Sequence, residues 1–212
     1  MKKTISILFL LLFLNSCSSY MGIYKFNLSE VESKDKLSNS ESITSSFQKN
    51  DSLVYENNQL KIVWFPSASD FRFILTNKST NNMKIIWDES VYVNTDGFCR
   101  AVIHQGTRFI DKDITQKPSV IVKGGKIEDL ILPTDNVYFV YGKYGGLWQT
   151  MPLFKVWLNT LEEFDLIKKE CVGKTVKILL PISIENSIQE YMFTFRIEDF
   201  YRKVYTSVPV KP

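Results

Sequence analysis

The 212-residue chain carries 26 Lys+Arg against 23 Asp+Glu, a formal charge of +3, and a single His. That near-balance gives no electrostatic case for nucleic-acid binding, and one His with three Cys does not supply a zinc ligand set at the usual spacings. With 44% hydrophobic and 14% aromatic residues, the length suits one well-filled domain plus a tether.

Lys2 and Lys3 open the chain, and Ile5 to Leu14 follow, apolar except for Ser6. This run is shorter than the ~20 apolar residues that span a bilayer and has the layout of a secretory signal. It ends in Leu14-Asn15-Ser16-Cys17, which resembles a bacterial lipobox: an aliphatic residue, two small or polar ones, then Cys. Asn15 is less usual at its place than Ala or Ser. The resemblance implies a diacylglycerol on the Cys17 thiol, cleavage before Cys17, and an acyl chain on the new amino group. Residues 1–16 are therefore expected to be a lipoprotein signal peptide, with Cys17 as the membrane anchor. Each buried CH2 of such chains contributes ~0.8 kcal/mol. Loss of Lys2 and Lys3 lowers the formal charge from +3 to +1. The expected location is the bacterial cell envelope, and Ser18 is compatible with the outer membrane where the host has one.

Residues 17–50 are polar and Ser-rich, as in KDKLSNSESITSSFQKN, and read as a tether that cannot bury enough apolar surface to offset its ordering entropy. Tyr20, Met21, Ile23, Tyr24 and Phe26 make its first part less tether-like, and are expected on the lipid surface or docked on the domain. Residues 51–206 form the predicted domain. Leu60, Ile62 and Trp64 alternate with their neighbours, as do Phe71, Phe73 and Leu75, and then Met83, Ile85 and Trp87. Period two bounded by Asn, Ser and Gly clusters predicts half-buried antiparallel strands. Asn77 to Asn82 and Asn94 to Gly97 read as turns, Gly97 being available for positive φ. Cys99 to His104, Val120 to Val122 and Ile127 to Leu132 resume the strand pattern.

One segment breaks the period. Thr160 stands three residues before Glu163, the capping-box spacing. Leu161, Phe164, Ile167 and Cys171 then recur at helical intervals up to Gly173, where a helix would stop. The last hairpin is the clearest: Val176, Ile178, Leu180, Ile182 and Ile184 on one face, a turn at Glu185 to Ser187, and Tyr191, Phe193, Phe195 and Ile197 returning on the same face. Many short strands without a βαβ rhythm predict an all-β, antiparallel β-sandwich with one short helix. It is immunoglobulin-like as an architectural label only, with a small barrel as the alternative. Residues 207–212 are left as a tail.

No catalytic constellation emerges. His104 could serve acid–base chemistry with Asp111 or Asp113 as orienter, but no nucleophile accompanies them, so it reads as a hydrogen-bonded structural histidine beside the Gly106 turn. Asn94 to Gly97 and Asp111 to Asp113 are explained by turn chemistry better than by calcium; no metal and no cofactor is expected beyond the lipid on Cys17. Cys99 and Cys171 form an even pair that permits one disulfide in an exported chain. The stretch from Asn136 to Trp157 concentrates aromatics around Gly142, Gly145 and Gly146. Its rings suit the core or, on a loop, recognition of protein or sugar. Tyr144 and Trp148, flanking the Gly pair, are the expected ligand or partner contacts.

The turn NKS from Asn77, the strand end IIWDES from Ile85, the turn VIHQGT from Val102 and the run VGKTVKILLPI from Val172 resemble uncharacterised bacterial lipoproteins with a sandwich-like domain. The resemblance carries no activity and no ligand residues. The expectation is a non-enzymatic envelope lipoprotein with a structural or interaction role and an envelope protein as partner. The alternative is a lipoprotein binding carbohydrate or another small ligand through the aromatic loop, and a hydrolase centred on His104 ranks last.

Overall fold

The computed structural model describes residues 20–35, 43–46, 53–185 and 187–203. The expected signal segment 1–16, Cys17 and the tail 207–212 lie outside the described residues. In chain order the strands are β1 (Tyr20–Asp35), β2 (Ile43–Ser46), β3 (Val54–Glu56), β4 (Leu60–Pro66), β5 (Phe71–Asn77), β6 (Met83–Ile85) and β7 (Val91–Val93). They continue with β8 (Cys99–Ile103), β9 (Ser119–Ile121), β10 (Lys126–Pro133), β11 (Val137–Gly142), β12 (Gly145–Thr150) and β13 (Trp157–Leu158). A helix, α1 (Leu161–Cys171), precedes β14 (Thr175–Ile184) and β15 (Ser187–Lys203).

The fold is all-β and antiparallel with one α-helix among the described residues. The main sheet runs β13-β1-β15-β14-β7-β8-β10-β5-β4-β3, with β2 on β1 and β6 joining β14 to β9. Its β13-β1-β15-β14-β7-β8 part curls into a half-barrel, and the β5-β4 part faces it. The Trp64 ring of β4 lies 5.0 Å from Phe193 and 5.1 Å from Phe195 of β15, and Phe71 of β5 lies 5.1 Å from Phe195 and 5.5 Å from Phe26 of β1. These edge and tilted contacts are the geometry that aromatic quadrupoles favour.

The alternating residues take the positions their period dictates. Leu60, Ile62, Trp64, Phe71, Phe73, Leu75, Met83, Ile85 and Trp87 are all buried, as are the inward faces of β14 and β15. Ile184 pairs with Ser187, which closes that hairpin at Glu185, a non-glycine residue at φ 54. The Asn77–Asn82 segment does more than turn a hairpin: β5 pairs with β4 and β10, whereas β6 pairs with β14 and β9. The chain crosses here between the halves of the sheet. Buried Asn77 holds the crossing, donating to the Asn81 and Ile121 carbonyls and accepting from the Ser79 N–H and hydroxyl.

The helix starts where capping chemistry puts it. Thr160 Oγ1 accepts from Glu163 N at 3.1 Å, and Glu163 reaches back one residue further than a capping box requires, to Asn159 N at 2.8 Å. Lys155 and the Asn159 and Thr160 N–H groups favour the charged form, so the Glu163 carboxyl lies below its ordinary pKa. Gly173, at φ 90, ends the helix and donates to the Ile197 carbonyl. Phe164 stacks on Phe200, 5.0 Å away.

The expected tether of residues 17–50 requires correction. Residues 20–35 form β1, paired with β15 from Met21↔Lys203 to Asp35↔Gln189, and Phe26, Leu28 and Val31 are buried in the core. The Ser-rich composition averages over a segment whose apolar residues are clustered at its start, and that cluster closes the sheet. Docking of Tyr20 to Phe26 on the domain was one of the two expected fates, and it takes the form of a strand. If β1 is structural, Leu28→Ala costs about 2–5 kcal/mol, the range for truncating a fully buried Leu. Denaturant unfolding measures this, and an unchanged midpoint would show that the segment is dispensable.

Candidate functional site

Two features compete for this role, the His104 cluster and the β11–β12 hairpin. His104 follows β8 at a turn in which Thr107 N donates to its carbonyl and Gly106 adopts φ 92. Its ring lies flat on the Trp87 indole, with centroids 4.3 Å apart and planes at 1°. Nδ1 is 3.2 Å from Asp129 Oδ2. The expected orienters are elsewhere: Asp111 accepts from Arg108 Nε at 2.6 Å, and Asp113 from Lys112 at 3.0 Å.

Asp129 is the residue that sequence reasoning missed. It is 3% exposed, and its Oδ1 accepts from Gln105 N at 2.7 Å and Leu130 N at 2.8 Å. The signal was in β10: Asp129 has the same strand parity as Ile127 and Ile131, so a carboxylate occupies an inward position. A charge there needs several partners, and the 104–107 turn supplies them. The Trp87 indole N–H in turn donates to Ser119 Oγ at 2.9 Å. The arrangement fixes the 104–107 turn to β10 and the Trp87 segment, as a structural histidine would. A cleft of about 620 Å3 lies beside it, bordered by His104, Thr107, Arg108, Gln116 and Lys117. Among the described residues no hydroxyl or thiol hydrogen-bonds to the imidazole.

The turn-forming carboxamides behave as their chemistry dictates. Asn94 Oδ1 accepts from Asp96 N and Phe98 N, with Gly97 at φ 85. Cys99 and Cys171 are free thiols. Cys99 is exposed at the start of β8, and Cys171 is half-buried at the end of α1, where burial pushes its thiol above its ordinary pKa.

The second feature is a separate two-stranded sheet. β11 and β12 pair with each other from Val137↔Thr150 to Gly142↔Gly145, and with no other strand among the described residues. Asn136 holds the base, donating through Nδ2 to the Met151 carbonyl while its own carbonyl accepts from Met151 N. Lys143 and Tyr144 form the tip, and Gly145 takes φ 128. Gly146 leaves the space that Phe139 fills, since a Cβ there would fall 2.0 Å from the ring.

The two expected contact residues differ. Tyr144 is 93% exposed at the tip. Trp148 is half-buried, packed between Phe139 at 5.3 Å and Phe109 at 6.5 Å, next to the small cluster of Ile103, Leu132 and Val137. Trp148 thus roots the hairpin and Tyr144 ends it. Tyr141 and Leu147 are also largely exposed. So much apolar surface on a thin hairpin, with no further strand on either outer edge among the described residues, is a feature that interaction sites share.

No protein-family model, no curated protein and no solved structure matches the chain.

Asp129→Ala leaves the Gln105 and Leu130 N–H groups without their acceptor, and should cost about 2–4 kcal/mol by the penalty for unsatisfied buried donors. Denaturant unfolding reads this directly. A loss below about 0.5 kcal/mol, the ordinary size of a surface substitution, would contradict a structural role.

Proposed function

We propose that the chain is a lipid-anchored protein of the bacterial cell envelope, held through Cys17, whose domain is a non-enzymatic interaction module in an envelope assembly. The observation that carries the interaction role is the β11–β12 hairpin, a thin two-stranded sheet with exposed Tyr141, Tyr144 and Leu147. An extended segment of an envelope protein adding to either outer edge would satisfy the open backbone groups and cover the rings together. Tyrosines suit such contacts because they bring large, rigid area with a polar tip. The lipobox-like Leu14-Asn15-Ser16-Cys17 supports the anchor. The finer architectural proposal is an immunoglobulin-like sandwich, supported by the ring packing of β4 and β5 against β15.

Carbohydrate binding through the same loop is the second reading. It asks for two rings presented side by side, and the packing of Trp148 against Phe109 and Phe139 favours the protein partner instead.

A photo-reactive phenylalanine at Tyr144 in the lipidated protein, activated in cells, tests the proposal. The expected result is one discrete protein adduct, lost when Cys17→Ala removes the anchor. Absence of any adduct at Tyr144 would overturn the interaction role of the hairpin.

A further inference from the structure

The start of β1 sets how far the domain stands from its anchor. Tyr20 is already paired, with Leu158 of β13, and it stands only three positions after Cys17. Three fully extended residues span at most about 11 Å. A lipid on Cys17 therefore leaves no room for a long spacer, and the Tyr20 end of the sheet is held beside the lipid headgroups.

The residues at that end have a consistent chemistry. Trp157 pairs with Met21, Met21 with Lys203, and Ile23 with Tyr201. Paired positions share a face and Met21 and Ile23 have the same parity, so Trp157, Met21, Lys203, Ile23 and Tyr201 lie on one face of the sheet. The opposite face is the core side, where Leu158 and Phe200 are fully buried and Gly22 makes room for the Phe200 ring. The face carrying Trp157 is thus the outer one, and Trp157 is 58% and Tyr201 47% exposed on it. Nearby acids have their own cations: Glu198 pairs with Lys25 at 3.2 Å and Asp199 with Lys168 at 2.7 Å. Aromatic rings beside long cationic side chains are the composition that settles at a membrane–water interface, where anionic lipids also favour Lys and Arg.

We infer that the outer face of the β13-β1-β15 end, centred on Trp157 and Tyr201, lies on the anionic phospholipid surface in which Cys17 is anchored. This rests on lipid attachment at Cys17. The domain is then docked on the bilayer through this end of the sheet, rather than suspended on a flexible spacer.

The test uses the lipidated protein in vesicles of anionic phospholipid, with Cys99→Ser and Cys171→Ser so that one introduced thiol takes a fluorescent label. The label is placed at Trp157→Cys, or at Lys34→Cys near the far end of β1, roughly 45 Å along the strand at about 3.3 Å per residue. Mass spectrometry of the mature N-terminus reports lipidation separately. The expected result is quenching by lipid-borne nitroxide at the Trp157 position about threefold or more above that at Lys34, the contrast for a group within 5–10 Å of the acyl boundary, together with protection from aqueous iodide. A lipidated protein whose Trp157 label stays open to iodide overturns this inference and leaves the anchor standing. A label shielded from both quenchers overturns it in favour of a protein cover. A mature chain without lipid on Cys17 overturns both.

Discussion

The ladder between β1 and β15 is the constraint on which the rest of the molecule depends. β15 is 17 residues long and lies between β1 on one side and β14 on the other. Its Phe193 and Phe195 are the rings against which Trp64 and Phe71 of the opposite half pack. Without β1, the edge of β15 would be an open row of N–H and C=O groups beside an apolar core, a state that favours association with other chains. Register shifts between Lys25 and Phe26 and between Leu28 and Glu30 place irregularities in this ladder, and such bulges bend and twist a strand.

Much of this was legible in the residues. Wherever a strand has one wet and one dry face, the side-chain period gives the buried set, as for Leu60, Ile62 and Trp64 or for the inward faces of β14 and β15. Thr160 and Glu163 marked the helix start because capping is local chemistry. Partnership across the sheet was not legible. Nothing in Asn77 to Asn82 says that β6 joins β14 rather than β5, since that choice is made by distant side chains. β1 was misjudged because an average over 17–50 is dominated by Ser and charge, while a strand needs only a few apolar residues at the right parity. The partner of His104 was missed for a related reason: proximity in sequence favoured Asp111 and Asp113, whereas the sheet brings in Asp129 from β10.

These facts order the proposed roles. The His104 cluster holds its own turn, since the ring is stacked on Trp87 and bonded to Asp129, whose remaining oxygen is taken by backbone. The hairpin roots in the small cluster of Ile103, Leu132 and Val137 rather than in the main core, and its exposed rings cost solubility unless something covers them. The end of the sheet nearest Cys17 has the residues that suit a lipid surface. A molecule arranged this way would be a rigid adaptor between a membrane and a protein partner, with β1 as the element that makes the connection to the anchor short.

The most direct measurement is native-state hydrogen exchange of the β1 amides from Phe26 to Val31. If β1 belongs to the cooperative core, these amides exchange at the free energy of global unfolding, together with those of β15 around Phe193. Exchange of the β1 amides through low-energy local opening, while β15 stays protected, would contradict the account: the sheet would then close without β1, and the segment after Cys17 would be the flexible spacer that its composition first suggests.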